Sequence, residues 1–175
     1  MIKLIKQGID KMLYWEVWED ERILIVHYGC VGDEGEMYEI KVPVFQRAEI
    51  EMKKLVDEQL ANGYKELDEE ELIEFVLQYV YTDDQLEDGL EKRQKIQEIM
   101  DEALGWSGNG YCDGGDIGSG TINIYTFVID VNKALQTTIN ELENHHLLDD
   151  VKIAYMSNDE EYKQIYPNKG EFNLL

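Results

Sequence analysis

Tyr14-Trp15-Glu16-Val17-Trp18 alternates apolar and acidic side chains, and Arg22-Ile23-Leu24-Ile25-Val26-His27-Tyr28 follows it with a run rich in β-branched residues. A third stretch, Met37-Tyr38-Glu39-Ile40-Lys41-Val42, alternates again before Pro43. Successive side chains of a strand point to opposite faces of the sheet, so each stretch has one apolar and one wet face. The three stretches therefore predict antiparallel strands, the last of which ends at Pro43.

A helix is predicted after these strands. Apolar residues recur at helical spacing from Ala48 to Leu60, with charged residues on the other faces. Gly63 stands where a left-handed residue commonly ends a helix. Three strands and a helix predict a compact α+β domain over residues 1–68, and the acidic run Asp68-Glu69-Glu70-Glu71 marks its boundary with the rest of the chain.

The remainder of the chain alternates strands and helices. Residues 72–81 fit a strand or a helix, and their β-branched and aromatic content favours the strand. Asp130 is a suitable N-cap for a later helix. The predicted elements are a strand at 72–81, a helix at 86–104, a strand at 121–129, a helix at 130–142 and a strand at 151–156. The order β-α-β-α-β predicts a ferredoxin-like α/β sandwich over residues 69–175. A polar tail is predicted after residue 156, with Tyr162, Tyr166 and Phe172 as the candidates for ordering it.

The charge of the chain restricts its partners. Its 175 residues include 16 Lys+Arg and 38 Asp+Glu, a net charge of −22. Residues 1–68 carry nine bases and fifteen acids, a net charge of −6, so residues 69–175 carry −16. Nucleic acids and anionic membranes are bound through Lys and Arg, so neither is an expected partner, and a basic protein is. No run of about 18 apolar residues and no signal-peptide stretch is present, which favours a cytoplasmic location.

Four features of the first part recur together in a known family. They are Trp15-Glu16-Val17-Trp18, the hairpin from Ile23 to Gly29, the turn Val31-Gly32-Asp33-Glu34-Gly35-Glu36, and Leu60-Ala61-Asn62-Gly63-Tyr64 at the end of the helix. With them, residues 12–67 resemble a WGR domain. The tripeptide Trp-Gly-Arg that names the family is here Tyr28-Gly29-Cys30, which lacks the cation. In WGR domains of poly(ADP-ribose) polymerases the aromatic residue and the arginine help to engage DNA breaks and neighbouring domains. The resemblance therefore implies a sheet-plus-helix fold and a docking role without DNA binding.

A second resemblance covers a shorter segment. Residues 104–121 are similar to a stretch of bacterial proteins, some of which carry a WGR-like module in front of it. This resemblance implies a bacterial cytoplasmic protein and supplies no activity.

Aromatic and acidic residues are the candidates for binding a partner. Trp15 and Trp18 are three residues apart in a predicted strand, so one faces the core and Trp18 is available as an interface anchor. The acidic stretch 66–91 contains eleven Asp+Glu and no Lys or Arg, and it fits either a solvated linker with a charged helix start or a docking face. The predicted interaction residues are Trp18, Tyr28, Trp106, Tyr111, Asp83, Asp84, Glu87 and Asp88.

Seven glycines predict that residues 105–120 form a loop. Two readings of this loop stay open: a structural loop held to the core by Trp106 and Tyr111, or a ligand site at Asp113, Asp116, Asn109 and Ser119. The segment matches neither a phosphate-binding loop nor an EF-hand, and no metal or other cofactor is predicted. Cys30 and Cys112 lack the spacing of a zinc site and are expected to be thiols.

These observations favour a non-enzymatic acidic protein that binds another protein, and they assign no catalytic residue. One alternative is an immunity-type inhibitor whose acidic surface covers the basic cleft of a toxin. The other is a metal- or ligand-binding protein or enzyme that uses the Gly-rich loop 105–120.

Overall fold

Two antiparallel sheets and three α-helices make up the α+β fold of the described part of the chain. The structure, a computed structural model, describes residues 1–174, without the side chain of Asp83. Contacts divide the chain into two compact units, Met1–Glu71 and Leu72–Leu175. The division falls at the end of the acidic run that begins at Asp68.

The first unit is a five-stranded sheet with one helix. The sheet has the strand order β4-β3-β2-β1-β5, and every neighbouring pair is antiparallel. The elements are β1 (Ile2–Gln7), β2 (Met12–Asp20), β3 (Ile23–Cys30), β4 (Glu36–Lys41), α1 (Ala48–Ala61), β5 (Lys65–Glu66) and a 3₁₀ turn (Glu69–Glu71). The three predicted strands and the helix are confirmed. The prediction lacked β1 and β5, which pair with one another along one side of the sheet.

Alternation along the strands gives this sheet two different faces. One face carries Leu4, Trp15, Val17, Leu24 and Val26, which form a core with Met52, Leu55 and Val56 of α1. The opposite face carries polar residues of β1, β2 and β3, described below. Gly63 follows α1 with a φ of +89°, in the left-handed region that was predicted for it.

The second unit is a six-stranded sheet with two helices. Its strand order is β11-β10-β9-β6-β8-β7, and again the pairing is antiparallel throughout. The elements are β6 (Ile73–Val80), a 3₁₀ turn (Asp83–Gln85), α2 (Leu86–Trp106), β7 (Gly110–Gly118), β8 (Thr121–Val128), α3 (Val131–Asn144), β9 (Lys152–Met156), β10 (Tyr162–Tyr166) and β11 (Gly170–Glu171). Both helices pack on one face, where Ile96, Met100 and Leu104 of α2 meet Ala134 and Leu142 of α3.

The Gly-rich segment 105–120 is not a loop, which corrects the prediction. α2 continues through Gly105 to Trp106, and Gly110–Gly118 forms the edge strand β7. A Cβ at Gly110 would overlap the carbonyl oxygen of Phe127, and one at Gly115 would lie 2.6 Å from the carbonyl oxygen of Asn123. Gly114 has a φ of +134° beside a bulge in the strand. These glycines therefore permit close backbone packing in the sheet.

The segment after residue 156 also differs from the prediction of a polar tail. It contains β10 and β11, which extend the sheet beyond β9. Phe172 is buried with Val76 and Ala154 on the sheet face that the helices leave open. The aromatic residues of this segment thus give it a core of its own.

Candidate functional site

The first turns of α2 expose two leucines among carboxylates. Leu86 and Leu90 are 44% and 42% exposed and stand four residues apart, so they share one side of the helix. Gly89 faces the sheet instead: a Cβ there would lie 3.0 Å from Cδ1 of Ile117. We define the α2 patch as Asp84, Leu86, Glu87, Asp88 and Leu90, all of them exposed.

Local sequence explains why acidic residues gather at this place. The Thr82 hydroxyl donates to a carboxylate oxygen of Asp84 over 2.6 Å, and the Thr82 N–H donates to Oε1 of Gln85 over 3.2 Å. Carboxylates at a helix N-terminus are favoured by the helix dipole. The structure therefore brings together the predicted Asp84, Glu87 and Asp88, while the side chain of Asp83 lies outside the described residues.

The predicted aromatic anchors of the second unit lie elsewhere. Trp106, the last residue of α2, is 43% exposed. Tyr111 is 38% exposed on β7, and its ring centroid lies 5.7 Å from that of Phe127. Because α2 has 21 residues and rises 1.5 Å per residue, its two ends are about 30 Å apart. Trp106 and Tyr111 consequently do not share a surface with the α2 patch.

Trp18 and Tyr28 belong to the first unit. Trp15 is buried in the core below α1, whereas Trp18 is half-buried, as expected for residues on opposite faces of a strand. The Tyr28 hydroxyl donates to a carboxylate oxygen of Glu36 over 3.0 Å, and this hydrogen bond raises the pKa of Tyr28. Tyr28 also packs against the core, so its contacts hold β3 to β4.

The four predicted ligand residues do not form one site. Asn109 is fully buried: its Oδ1 accepts the N–H of Asp130 over 2.8 Å, and its Nδ2 donates to the carbonyl of Asp130 over 3.0 Å. Ser119 lies in the turn at the other end of β7, with a φ of +51°. A strand rises roughly 3.3 Å per residue, so β7 separates Asn109 from Ser119 by about 30 Å. Asp113 and Asp116 are exposed residues within the strand.

Asp116 takes part in a hydrogen-bonded network on the open face of the second sheet. Asn123 Nδ2 donates to one carboxylate oxygen over 2.8 Å, and the Tyr125 hydroxyl donates to the other over 2.9 Å. Gln78 Nε2 in turn donates to Oδ1 of Asn123 over 3.0 Å and to the carbonyl of Asn173 over 3.1 Å. Burial and the bond to Asp116 raise the pKa of Tyr125 to about 12. The carboxylate of Asp116 therefore serves the packing of neighbouring strands.

A buried polar network in the first unit was missed by the sequence reasoning. Glu16 accepts from Lys3 Nζ over 3.1 Å at one oxygen, and its other oxygen lies 2.8 Å from Nδ1 of His27. His27 Nε2 lies 2.9 Å from the Tyr14 hydroxyl. We call these four residues the Glu16 network. Its only sequence signal is the polar phase of the alternating strands, and the register Lys3–Glu16–His27 becomes visible once the strands are paired.

Three of the four members of the Glu16 network are buried. His27 is 1% exposed, and Tyr14 and Glu16 are also buried. A His27 ring with its proton on Nδ1 satisfies both hydrogen bonds, because Nδ1 donates to Glu16 and Nε2 accepts from the Tyr14 hydroxyl. Burial, with the charge of Glu16, raises the pKa of Tyr14 above its ordinary value. A Cβ at Gly35 would overlap the Tyr14 hydroxyl, so the turn before β4 packs directly against the network.

Side chains of chemically reactive type also occur at Cys30, Cys112 and Lys92. Burial raises the pKa of the Cys112 thiol, which disfavours the nucleophilic thiolate, and Cys30 and Cys112 are both free. Lys92 Nζ lies 3.7 Å from the ring centroid of Tyr79, and burial lowers the pKa of Lys92. Within residues 1–174, side chain of Asp83 excepted, no three His, Cys, Asp or Glu side chains stand close enough together to hold a metal ion.

Comparison with known proteins adds no assignment: no model of a protein family, no curated protein and no solved structure matches the chain. Across the part of the chain that the structure describes, none of the helices combines the length and the apolar character needed to cross a membrane.

Proposed function

We propose that this chain is a non-enzymatic interaction protein that binds a basic protein through the α2 patch. The observation that carries the proposal is the exposure of Leu86 and Leu90 at the start of α2, where Asp84, Glu87 and Asp88 are exposed as well. Protein interfaces combine an apolar centre with a polar rim, and the α2 patch has both on one turn of helix. Exposed leucines supply the contact area, while the carboxylates select a partner with Lys and Arg.

The charge of the whole chain supports the same partner. A net charge of −22 attracts a basic protein over several ångströms and raises its association rate. The same field repels phosphate-bearing partners. The largely buried Glu16 network and the hydrogen-bonded Asp116 favour a binding protein over an enzyme. We place the protein in the bacterial cytoplasm on the basis of its sequence.

We also propose specific folds for the two units. The first is a WGR-like domain, supported by the residues of its hairpin, its turn and the end of α1. The second is a ferredoxin-like domain, supported by the chain order β6-α2-β7-β8-α3-β9 and by helices on one face of the sheet. The strand order β9-β6-β8-β7 agrees with this arrangement, and β10 and β11 extend it at one edge.

The test compares two variants that lose the same charge. The patch variant is Asp84→Asn/Glu87→Gln/Asp88→Asn, and the control variant is Glu102→Gln/Glu160→Gln/Glu171→Gln, at exposed positions away from the patch. Proteins captured from host lysate by the wild-type chain at low salt and released at high salt are purified and titrated against all three chains. Exposed ion pairs contribute roughly 0.2–1 kcal/mol each, so the loss of three should weaken binding of the patch variant about 3- to 150-fold.

The control variant should bind with nearly wild-type affinity. Equal weakening by both variants would show that net charge alone is responsible and would overturn the assignment to the α2 patch. A captured partner that binds equally well at high salt would contradict an acidic docking surface altogether, because salt screens exposed charges.

A further inference from the structure

The first unit has an apolar groove of its own beside α1. It encloses about 470 Å³, within the roughly 300–1,000 Å³ of pockets that bind ligands. Its lining combines four apolar and four charged residues. We call it the α1 groove, and its lining residues are Ile2, Glu49, Met52, Lys53, Val56, Asp57, Leu60 and Glu66.

The apolar residues of the groove follow the helix. Met52, Val56 and Leu60 are spaced four residues apart, so they form one row along α1. Val56 is buried at the floor, Met52 is half-buried, and Leu60 is 38% exposed. Ile2 of β1 adds a further apolar side chain. Met52 and Leu60 are the members of the row that a partner can reach, and they lie about two helical turns apart on either side of the buried Val56.

The rim of the groove is acidic. Glu49, Asp57 and Glu66 oppose a single cation, Lys53, whose Nζ lies 3.2 Å from Oδ1 of Asp57. The charge of Lys53 therefore offsets that of Asp57, and Glu49 and Glu66 supply the negative charge that remains at the rim. These two carboxylates belong to different elements, α1 and β5, so they can hold cations on either side of a segment that lies in the groove.

We propose that the α1 groove binds a basic amphipathic helix of the partner protein. Its apolar side chains contact Met52 and Leu60 of the row, and its Lys or Arg side chains pair with Glu49 and Glu66. Helix-in-groove recognition uses this spacing of apolar anchors, and the charge of the rim selects a basic helix over an acidic one. This inference rests on the proposed function in that both require a basic partner, but it concerns a different unit of the chain.

The probe for the test is a synthetic helix of leucine and lysine in amphipathic register, about 14 residues or four turns long. The protein carries the three substitutions of the α2 patch variant, so that the groove is measured alone. Methyl-labelled NMR follows Met52, Val56 and Leu60 during the titration, and fluorescence anisotropy gives the dissociation constant. A helix with glutamate in place of lysine is the control peptide.

Two pairs of variants locate the binding site. Leu60→Ser removes part of the apolar row, and Ile50→Ser removes an exposed α1 side chain outside the groove. Glu49→Gln/Glu66→Gln neutralises the rim, because Lys53 and Asp57 offset each other. Its control, at exposed positions on β2 and β4, is Glu19→Gln/Glu39→Gln.

We expect the basic helix to shift the groove methyl signals and the groove variants to bind it roughly tenfold more weakly than their controls. Equal weakening by groove and control variants, shifts confined to other methyl groups, or equal binding of the glutamate helix would each overturn the proposal. These results are independent of the α2 patch, since its charges are absent from every protein in the titration. The α1 groove can therefore fail to bind the helix while the α2 patch binds its partner, and the α2 patch can fail while the groove binds the helix.

Discussion

A methyl group added at Gly35 should break the Glu16 network. In Gly35→Ala the new Cβ would overlap the Tyr14 hydroxyl and would lie 2.5 Å from Nε2 of His27. It would also lie 2.8 Å from the carbonyl oxygen of Tyr28, which is part of the backbone and cannot rotate away. The turn before β4 must lift, or Tyr14 and His27 must move out of hydrogen-bond distance.

The expected cost follows from the bond that is lost. A typical hydrogen bond contributes about 1 kcal/mol, and a buried polar group left without a partner costs about 1–3 kcal/mol. Gly35→Ala should therefore lower the free energy of unfolding of the first unit by about 2–4 kcal/mol, a large part of the roughly 5–15 kcal/mol of a typical domain. Because the substitution acts on Tyr14, the double variant Gly35→Ala/Tyr14→Phe should lose at least about 1 kcal/mol less than the sum of the single variants.

The measurement is urea denaturation followed by tryptophan fluorescence. The chain has three tryptophans, so Trp106→Phe leaves only Trp15 and Trp18, which report on the first unit. All variants are made in this background, and the free energy of unfolding is extrapolated to water for each. A Gly35→Ala protein within about 0.5 kcal/mol of its parent, a typical surface effect, would refute the close packing of the turn on the network. Strict additivity with Tyr14→Phe would refute the role of the hydroxyl.

Three further predictions concern the second unit. Gly115→Ala places a Cβ 2.6 Å from a backbone oxygen, whereas a Cβ at Gly118 meets nothing within 4 Å. In thermal unfolding, Gly115→Ala should therefore lower the free energy of unfolding by about 1–3 kcal/mol, and Gly118→Ala should leave it almost unchanged. Asn109→Ala leaves the N–H and the carbonyl of Asp130 without their side-chain partner, and chemical denaturation should show a loss of about 1–3 kcal/mol. The pKa of Tyr125 is raised to about 12, so the folded chain keeps a proton that the unfolded chain loses above about pH 10. Stability should therefore fall between about pH 10 and 12, and Tyr125→Phe should reduce this slope in denaturation measured as a function of pH.

The sequence predicted those elements whose pattern is local. The alternation of β2 and β4, the β-branched content of β3, the periodicity of α1, α2 and α3, and the N-cap at Asp130 are all readable within one stretch of residues, and the structure contains each of them. β5 has only two residues, too few to show a period. β1 alternates over Ile2–Gln7, but its place in the sheet depends on pairing with β2 and β5, which no local pattern records.

The glycines of β7 show why the structure of the Gly-rich segment 105–120 was harder to predict than the elements above. Glycine is enriched in loops, so seven of them in one segment predicted a loop. At Gly110 and Gly115 the missing side chain instead makes room for the backbone of β8. The sequence records that a side chain is absent but not which neighbour needs the space. For the α2 patch, the carboxylates were predicted from composition, whereas the exposure of Leu86 and Leu90 depends on tertiary packing, which no local pattern records.

In each unit, hydrogen bonds between side chains of neighbouring strands engage a carboxylate of the sheet. Glu16 is held by Lys3 and His27, and Asp116 by Asn123 and Tyr125, so the hydrogen-bonding capacity of these carboxylates is spent on joining neighbouring strands. Carboxylates engaged in this way are poorly placed to bind a cation or to act as a base. What is left for recognition is the outer surface, where acids greatly outnumber bases. Apolar side chains are exposed among those acids in each unit, and this exposure is what supports the proposal of a basic protein partner.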